Sequence, residues 1–136
     1  MNRTPRIAVV GAGYFAQFQL QGWRDAGAQV VGLCDLDAGR AAALARRFDV
    51  PKVCGDVGEM LDSVQADLVD VVLPPAAQPA VVRMAVERGL PTICQKPFAL
   101  DMGEACAMVR AAKAGGIALM VHENFRWQRP MLALAE

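Results

Sequence analysis

The chain has 136 residues, 54% of them hydrophobic, and its fourteen basic side chains are balanced by fourteen acidic ones. That length holds one domain with a sizeable core and excludes a second of ordinary size. Zero net charge excludes an electrostatic footprint for nucleic acid or an anionic membrane, and no apolar run approaches the eighteen residues of a membrane span.

Residues 1–6 lack the apolar stretch of a signal peptide, so a cytoplasmic location is expected. The four cysteines, Cys34, Cys54, Cys94 and Cys106, show no C-x-x-C spacing and read as reduced, small core residues.

In chain order, apolar runs at 6–10, 29–34, 68–73, 91–94 and 117–121 predict strands separated by segments of helical spacing. The alternation predicts an α/β fold in which a doubly wound parallel sheet carries helices on both faces, as one domain over 1–136. After the first run, Phe15, Phe18, Gly22, Trp23 and Ala26 form the expected inner stripe of a helix that Gly27 ends. Asp37 caps a second helix, with Ala41, Leu44, Ala45 and Phe48 inside and Arg40, Arg46 and Arg47 outside. Asp56 with Glu59, and Asp101 with Glu104, predict reciprocal caps at two further helix starts. The helix at 77–88 buries Val81, Val82, Ala85 and Val86 and stops at Gly89. The helix at 101–114 presents Met102, Ala105, Cys106, Val109 and Ala112, and Pro130 opens a last one.

The first strand, its turn and the helix beyond have the parts of a phosphate cradle. Gly11 makes the tight turn, Gly13 lets a pyrophosphate approach the backbone, and Ala16 lets helix and strand touch. Tyr14 and Phe15 sit at the helix start, whose unpaired N–H groups favour an anion. Asp35, nineteen residues past Ala16, is placed to accept from a ribose diol and to repel a 2′-phosphate, which favours NAD over NADP. Arg40 is read as a helix-surface charge. Because the first and fourth strands of such a sheet are neighbours, residues 11–16, 35, 74–78, 95–98 and 122–126 are expected to converge outside their carboxyl ends. Pro74 and Pro75 close the fourth strand, either beside a cofactor or as an ordinary turn into the next helix. His122, the sole histidine, is read as a hydrogen-bonded structural residue.

Three further segments complete a resemblance: Asp70-Val71-Val72-Leu73-Pro74-Pro75, Cys94-Gln95-Lys96-Pro97-Phe98 and His122-Glu123-Asn124-Phe125-Arg126-Trp127. With the glycine turn and Asp35 they span nearly the whole chain, which resembles the N-terminal domain of the glucose-fructose oxidoreductase and inositol dehydrogenase (Gfo/Idh/MocA) family. The resemblance implies a Rossmann domain that in the family precedes a substrate and oligomerisation domain, absent from this chain. It also implies an oxidoreductase passing a hydride between a nicotinamide cofactor and a sugar or polyol hydroxyl. Lys96 matches the family's lysine of a Glu-Lys-Pro motif, beside nicotinamide and substrate; an ammonium desolvated beside a cationic ring can exchange a proton with the hydroxyl as hydride moves. Gln78 and Gln95 match further positions on the cofactor side, and Asn124 and Arg126 match positions that line the cofactor or substrate side or else are solvated loop residues, Asn124 being assigned to the cofactor. Gln95 stands where glutamate is usual, Gln78 where histidine is frequent and Gln19 where the first helix often has histidine; an amide keeps its hydrogen bonds and cannot ionise.

The expected partners are therefore a dinucleotide and, in a two-domain protein, a small sugar or polyol, with neither nucleic acid, membrane nor metal. Homo-oligomerisation is open. A competing reading is a non-catalytic dinucleotide sensor or assembly module. A methyltransferase-like nucleoside site is disfavoured, because Val9 and Val10 rather than an acid precede Gly11.

Overall fold

The computed structural model describes residues 3–134. Six parallel strands form one sheet in the order β3-β2-β1-β4-β5-β6. They are β1 (Arg6–Val10), β2 (Gln29–Cys34), β3 (Val53–Cys54), β4 (Leu68–Val71), β5 (Thr92–Gln95) and β6 (Leu119–His122). The helices between and after them are α1 (Ala16–Asp25), α2 (Ala38–Phe48), α3 (Val57–Ser63), α4 (Gln78–Glu87), α5 (Met102–Ala114) and α6 (Arg129–Leu134). This is the doubly wound α/β architecture expected, with strand order reversing between β1 and β4. Two-residue β3 was not foreseen, because an edge strand so short carries no periodicity.

Each face of the sheet has its own core. Ile7, Val9 and Leu33 pack with Ala16, Leu20, Ala41 and Ala45 of α1 and α2. On the other face Ala8, Val10, Val69, Val71 and Cys94 pack with Met60, Val81, Val82, Ala85 and Met108 of α3, α4 and α5. Because side chains along a strand alternate between faces, Asp70 falls on the α1 face between two buried valines.

The helix ends follow their local chemistry. The carboxylates of Asp37, Asp56 and Asp101 accept from the N–H of Arg40, Glu59 and Glu104 at 2.9, 2.8 and 2.8 Å. The reciprocal half of each acidic box differs from expectation. Glu104 reaches the N–H of Leu100, one residue before the cap, and Glu59 turns to Lys52. Gly27 and Gly89 take the left-handed conformation beyond α1 and α4.

Two predicted stripes are corrected. Phe15 and Phe18 are exposed, and α1 is anchored by Ala16 and Leu20 with Trp23 half-buried. In α5, Met102, Cys106 and Val109 face outward, and Met108 joins Ala112 inside. In both helices the inward positions are set by how the helix packs on its neighbours, α1 on the sheet and α5 on α4, which spacing within the helix does not specify.

Candidate functional site

The turn after β1 is shaped by one steric fact. Gly11 adopts φ +106°, and a Cβ there would lie 2.2 Å from the carbonyl oxygen of Val72, the residue just after neighbouring β4. Its N–H donates to the Cys34 carbonyl at 2.7 Å, which ties the turn to β2. At Gly13 a Cβ would meet nothing within 4 Å, so the missing side chain leaves open space above the backbone. Among the described residues, the N–H groups of Gly13, Tyr14 and Phe15 meet no acceptor. Those donors, at the start of ten-residue α1, form a cradle suited to a diphosphate. Ala16 is fully buried where helix meets sheet; Tyr14 is exposed.

Asp35 does more than the sequence indicates. One carboxylate oxygen accepts from the Ala12 N–H at 2.7 Å and the other from the Asp37 N–H at 2.8 Å, so the acid braces the glycine turn and the entry to α2. Each oxygen keeps a further lone pair. Half-buried, Asp35 lines a cleft of about 520 Å³ with Gly13, Leu36, Arg40, Pro74 and Ala77. Arg40 stands at this cleft, 3.5 Å from the Asp37 carboxylate.

From there a groove runs over Gly13, Phe15, Pro74, Pro75, Gln95, Lys96 and Pro97. It opens into a second cleft of about 660 Å³, walled by Phe15, Phe18 and Phe125, with Gln19, Gln95, Lys96, His122 and Asn124 as its polar groups. The trough follows the carboxyl ends of β2, β1, β4, β5 and β6 and brings together Gly13, Tyr14, Phe15, Asp35, Pro74, Pro75, Gln95, Lys96 and Asn124, while Gly11, Ala12 and Ala16 lie beneath its floor. Lys96 is exposed, with its ammonium 5.4 Å from the centre of the Phe125 ring and its N–H donating to the Gln95 side chain at 2.9 Å. His122 pairs through Nδ1 with the Gln19 amide at 2.9 Å. The side chain of Arg126 lies outside the described residues.

Gln78 is corrected. It is fully buried at the start of α4, and its amide points inward to the carbonyls of Gln95, Pro97 and Phe98 rather than into the trough. The helical turn after Pro75 rotates residue 78 to the inner side.

One group escaped sequence reading. Asp70, at the centre of the sheet, is 1% exposed; one oxygen accepts from the Trp23 indole N–H at 2.7 Å and the other has no partner among the described residues. Burial pushes its carboxyl up to about 6, against the Trp23 hydrogen bond and the nearby His122, which both favour the anion. An acid amid valines in a predicted central strand was the available signal. Burial also raises the thiols of Cys34 to about 11 and Cys94 to about 12, which removes both as nucleophiles near neutral pH. Among the described residues no group of His, Cys, Asp or Glu is arranged to hold a metal ion, and no helix is long and apolar enough to cross a membrane.

A parallel sheet with this order, a side-chain-free turn and an acid after the second strand define a dinucleotide-binding domain of the Rossmann class. The sequence profile of the Gfo/Idh/MocA oxidoreductase family, described as having an NAD-binding Rossmann fold, matches residues 5–123, and the chain belongs to that family. It is 41% identical over 128 residues to a D-apiose dehydrogenase of Paraburkholderia graminis, covering 93% of this chain and 34% of that one. It is 30% identical over 118 residues to an inositol 2-dehydrogenase of Paenarthrobacter aurescens, covering 85% and 35%. An oxidoreductase from Agrobacterium radiobacter, crystallised with NAD+, L-tartaric acid and magnesium, superposes with a TM-score of 0.94 at 38% identity, over 97% of this chain and 39% of that one. The chain thus spans little more than a third of the length of these relatives.

Proposed function

We propose that this domain binds NAD along the trough and supplies the lysine of a sugar or polyol dehydrogenase. The observation that carries the reading is the open space at Gly13 beside three unengaged N–H groups, with the Asp35 carboxylate at the next strand end. In that arrangement Gly13, Tyr14 and Phe15 hold the diphosphate, Ala16 sets the helix at the right height and Gly11 shapes the turn. Asp35 accepts from the adenosine ribose, and Pro74, Pro75, Gln95 and Asn124 wall the nicotinamide half. When bound, NAD supplies the hydride acceptor. Lys96 is the group placed to take or return the hydroxyl proton, and Phe125 holds its ammonium over the trough.

The exposed Phe18, Met120 and Phe125 support burial of this edge against a substrate domain or a second copy of the chain. Four free thiols and a net charge of zero support a cytoplasmic protein without nucleic-acid partners. Calorimetric titration with NAD and NADP tests the reading: NAD binds more tightly, and absence of NAD binding overturns it. Polyol oxidation is expected once a substrate domain completes the second cleft. Intact binding without turnover in that completed form would point to the sensor module instead.

A further inference from the structure

We infer that Gln78 is a positioning residue for Lys96, a role that rests on the proton-transfer reading of that lysine. The Gln78 Nε2 lies 2.9 Å from the Gln95 carbonyl oxygen, 2.8 Å from that of Pro97 and 3.3 Å from that of Phe98. These acceptors bracket Lys96 on both sides, so one buried amide sets the path of the backbone from which the lysine springs. The amide's orientation follows from its surroundings, since exchanging its oxygen and nitrogen would set Oε1 against three carbonyl oxygens.

That donor comes at the expense of an acceptor. The Gln78 Oε1 is buried with no hydrogen-bond partner among the described residues. An apolar side chain of the same size would remove the orphan oxygen and take the Nε2 donor away from the three carbonyls. The position therefore suits a group whose donors matter more than its oxygen. Val81, Val82 and Ala85 root the same helix in the core, which makes Gln78 a tie between a rigid element and an exposed loop. Beyond the tie, Gln95 accepts from the Lys96 N–H and the Phe125 ring lies under the ammonium, so backbone and tip are both held. A loop free to drift by about an ångström would lose the alignment on which proton transfer depends.

The first test is nuclear magnetic resonance on this chain. The Phe125 ring shifts the ε-methylene protons of Lys96 upfield, and F125L defines their unshifted position. Q78M is expected to move them toward that position and to speed amide exchange at Lys96 and Phe98 by about tenfold or more. Q78H, whose ring N–H can donate to one of the same carbonyls, is expected to keep more of the wild-type shift than Q78M. Should Q78M fail to fold, Q78N keeps an amide too short to reach all three carbonyls and carries the same expectation. A wild-type Lys96 signal in a folded Q78M or Q78N protein overturns the inference.

The second test is turnover in the form completed by a substrate domain. There Q78M is expected to lower kcat by about tenfold to a hundredfold, with KM for NAD within about threefold, and Q78H to recover part of the loss. K96M separates the two ideas. Undiminished turnover in K96M overturns the lysine reading and with it the role assigned to Gln78. Lost turnover in K96M beside normal turnover in Q78M overturns the positioning role alone.

Discussion

Trp23 on α1 donates its indole N–H to the carboxylate of Asp70 at 2.7 Å, joining the helix behind the glycine turn to the central strand of the sheet. The bond is polar, buried and only half-matched, because the second Asp70 oxygen has no partner among the described residues. Charge on this acid is therefore a liability for the fold and a lever for its pH dependence.

Asp70 has a carboxyl raised by burial to about 6, above its ordinary 3.8, so the folded state holds the proton more tightly than the unfolded chain. Its contribution is fully present below about 3.8 and is lost as pH rises through about 6. The groups that act on it are the Trp23 indole and His122. D70N is expected to stabilise the domain by about 1–3 kcal/mol at pH 7.5 and to flatten its stability between pH 5 and 7. Urea unfolding at several pH values checks this; a mutant that parallels the wild type would refute it.

The two turn glycines are expected to fail in different ways. G11A places a Cβ against the Val72 carbonyl oxygen at a positive φ, and should destabilise the fold by about 2 kcal/mol or more. G13A meets no protein atom, so its melting temperature should stay near wild type while NAD affinity falls by about tenfold or more. Calorimetry of folding and of binding separates the two, and normal NAD affinity in G13A would remove the diphosphate from this turn.

Asp35 is expected to show two effects together. D35A removes the repulsion of a 2′-phosphate and should narrow the preference for NAD over NADP. It also frees the Ala12 and Asp37 N–H groups, so stability should fall by about 1–3 kcal/mol. Unchanged discrimination between the two nucleotides in a folded D35A protein would remove residue 35 from the ribose.

The thiols should divide by burial. Cys106 is exposed, whereas Cys34, Cys54 and Cys94 are buried and two of these have raised pKa values. A maleimide is expected to label Cys106 quickly in the native chain and the other three only on unfolding. Rapid native labelling of Cys34 would show that the floor of the adenosine-side cleft opens.

Much of this molecule is written locally. The strands around β1 and β4, the helix starts at Asp37, Asp56 and Asp101, and the stops at Gly27 and Gly89 all follow from neighbours within a few residues. Hydrophobic period and cap chemistry act at that range. The glycine turn and the acid after β2 are legible for the same reason, since their spacing is that of one β-α-β unit. Tertiary structure alone decided which face each residue met. Phe15 and Phe18 fit an inner stripe by spacing, yet the sheet closes on Ala16 and Leu20 and leaves the rings in the second cleft. Gln78 lies next to the prolines in sequence, and only the turn of the chain before α4 sends its amide inward to the Lys96 loop. Asp70 and Trp23 are forty-seven positions apart, and no local pattern pairs them. Side-chain periodicity constrains a residue relative to its own helix or strand; contact across elements depends on how those elements pack, and that is a property of the whole chain.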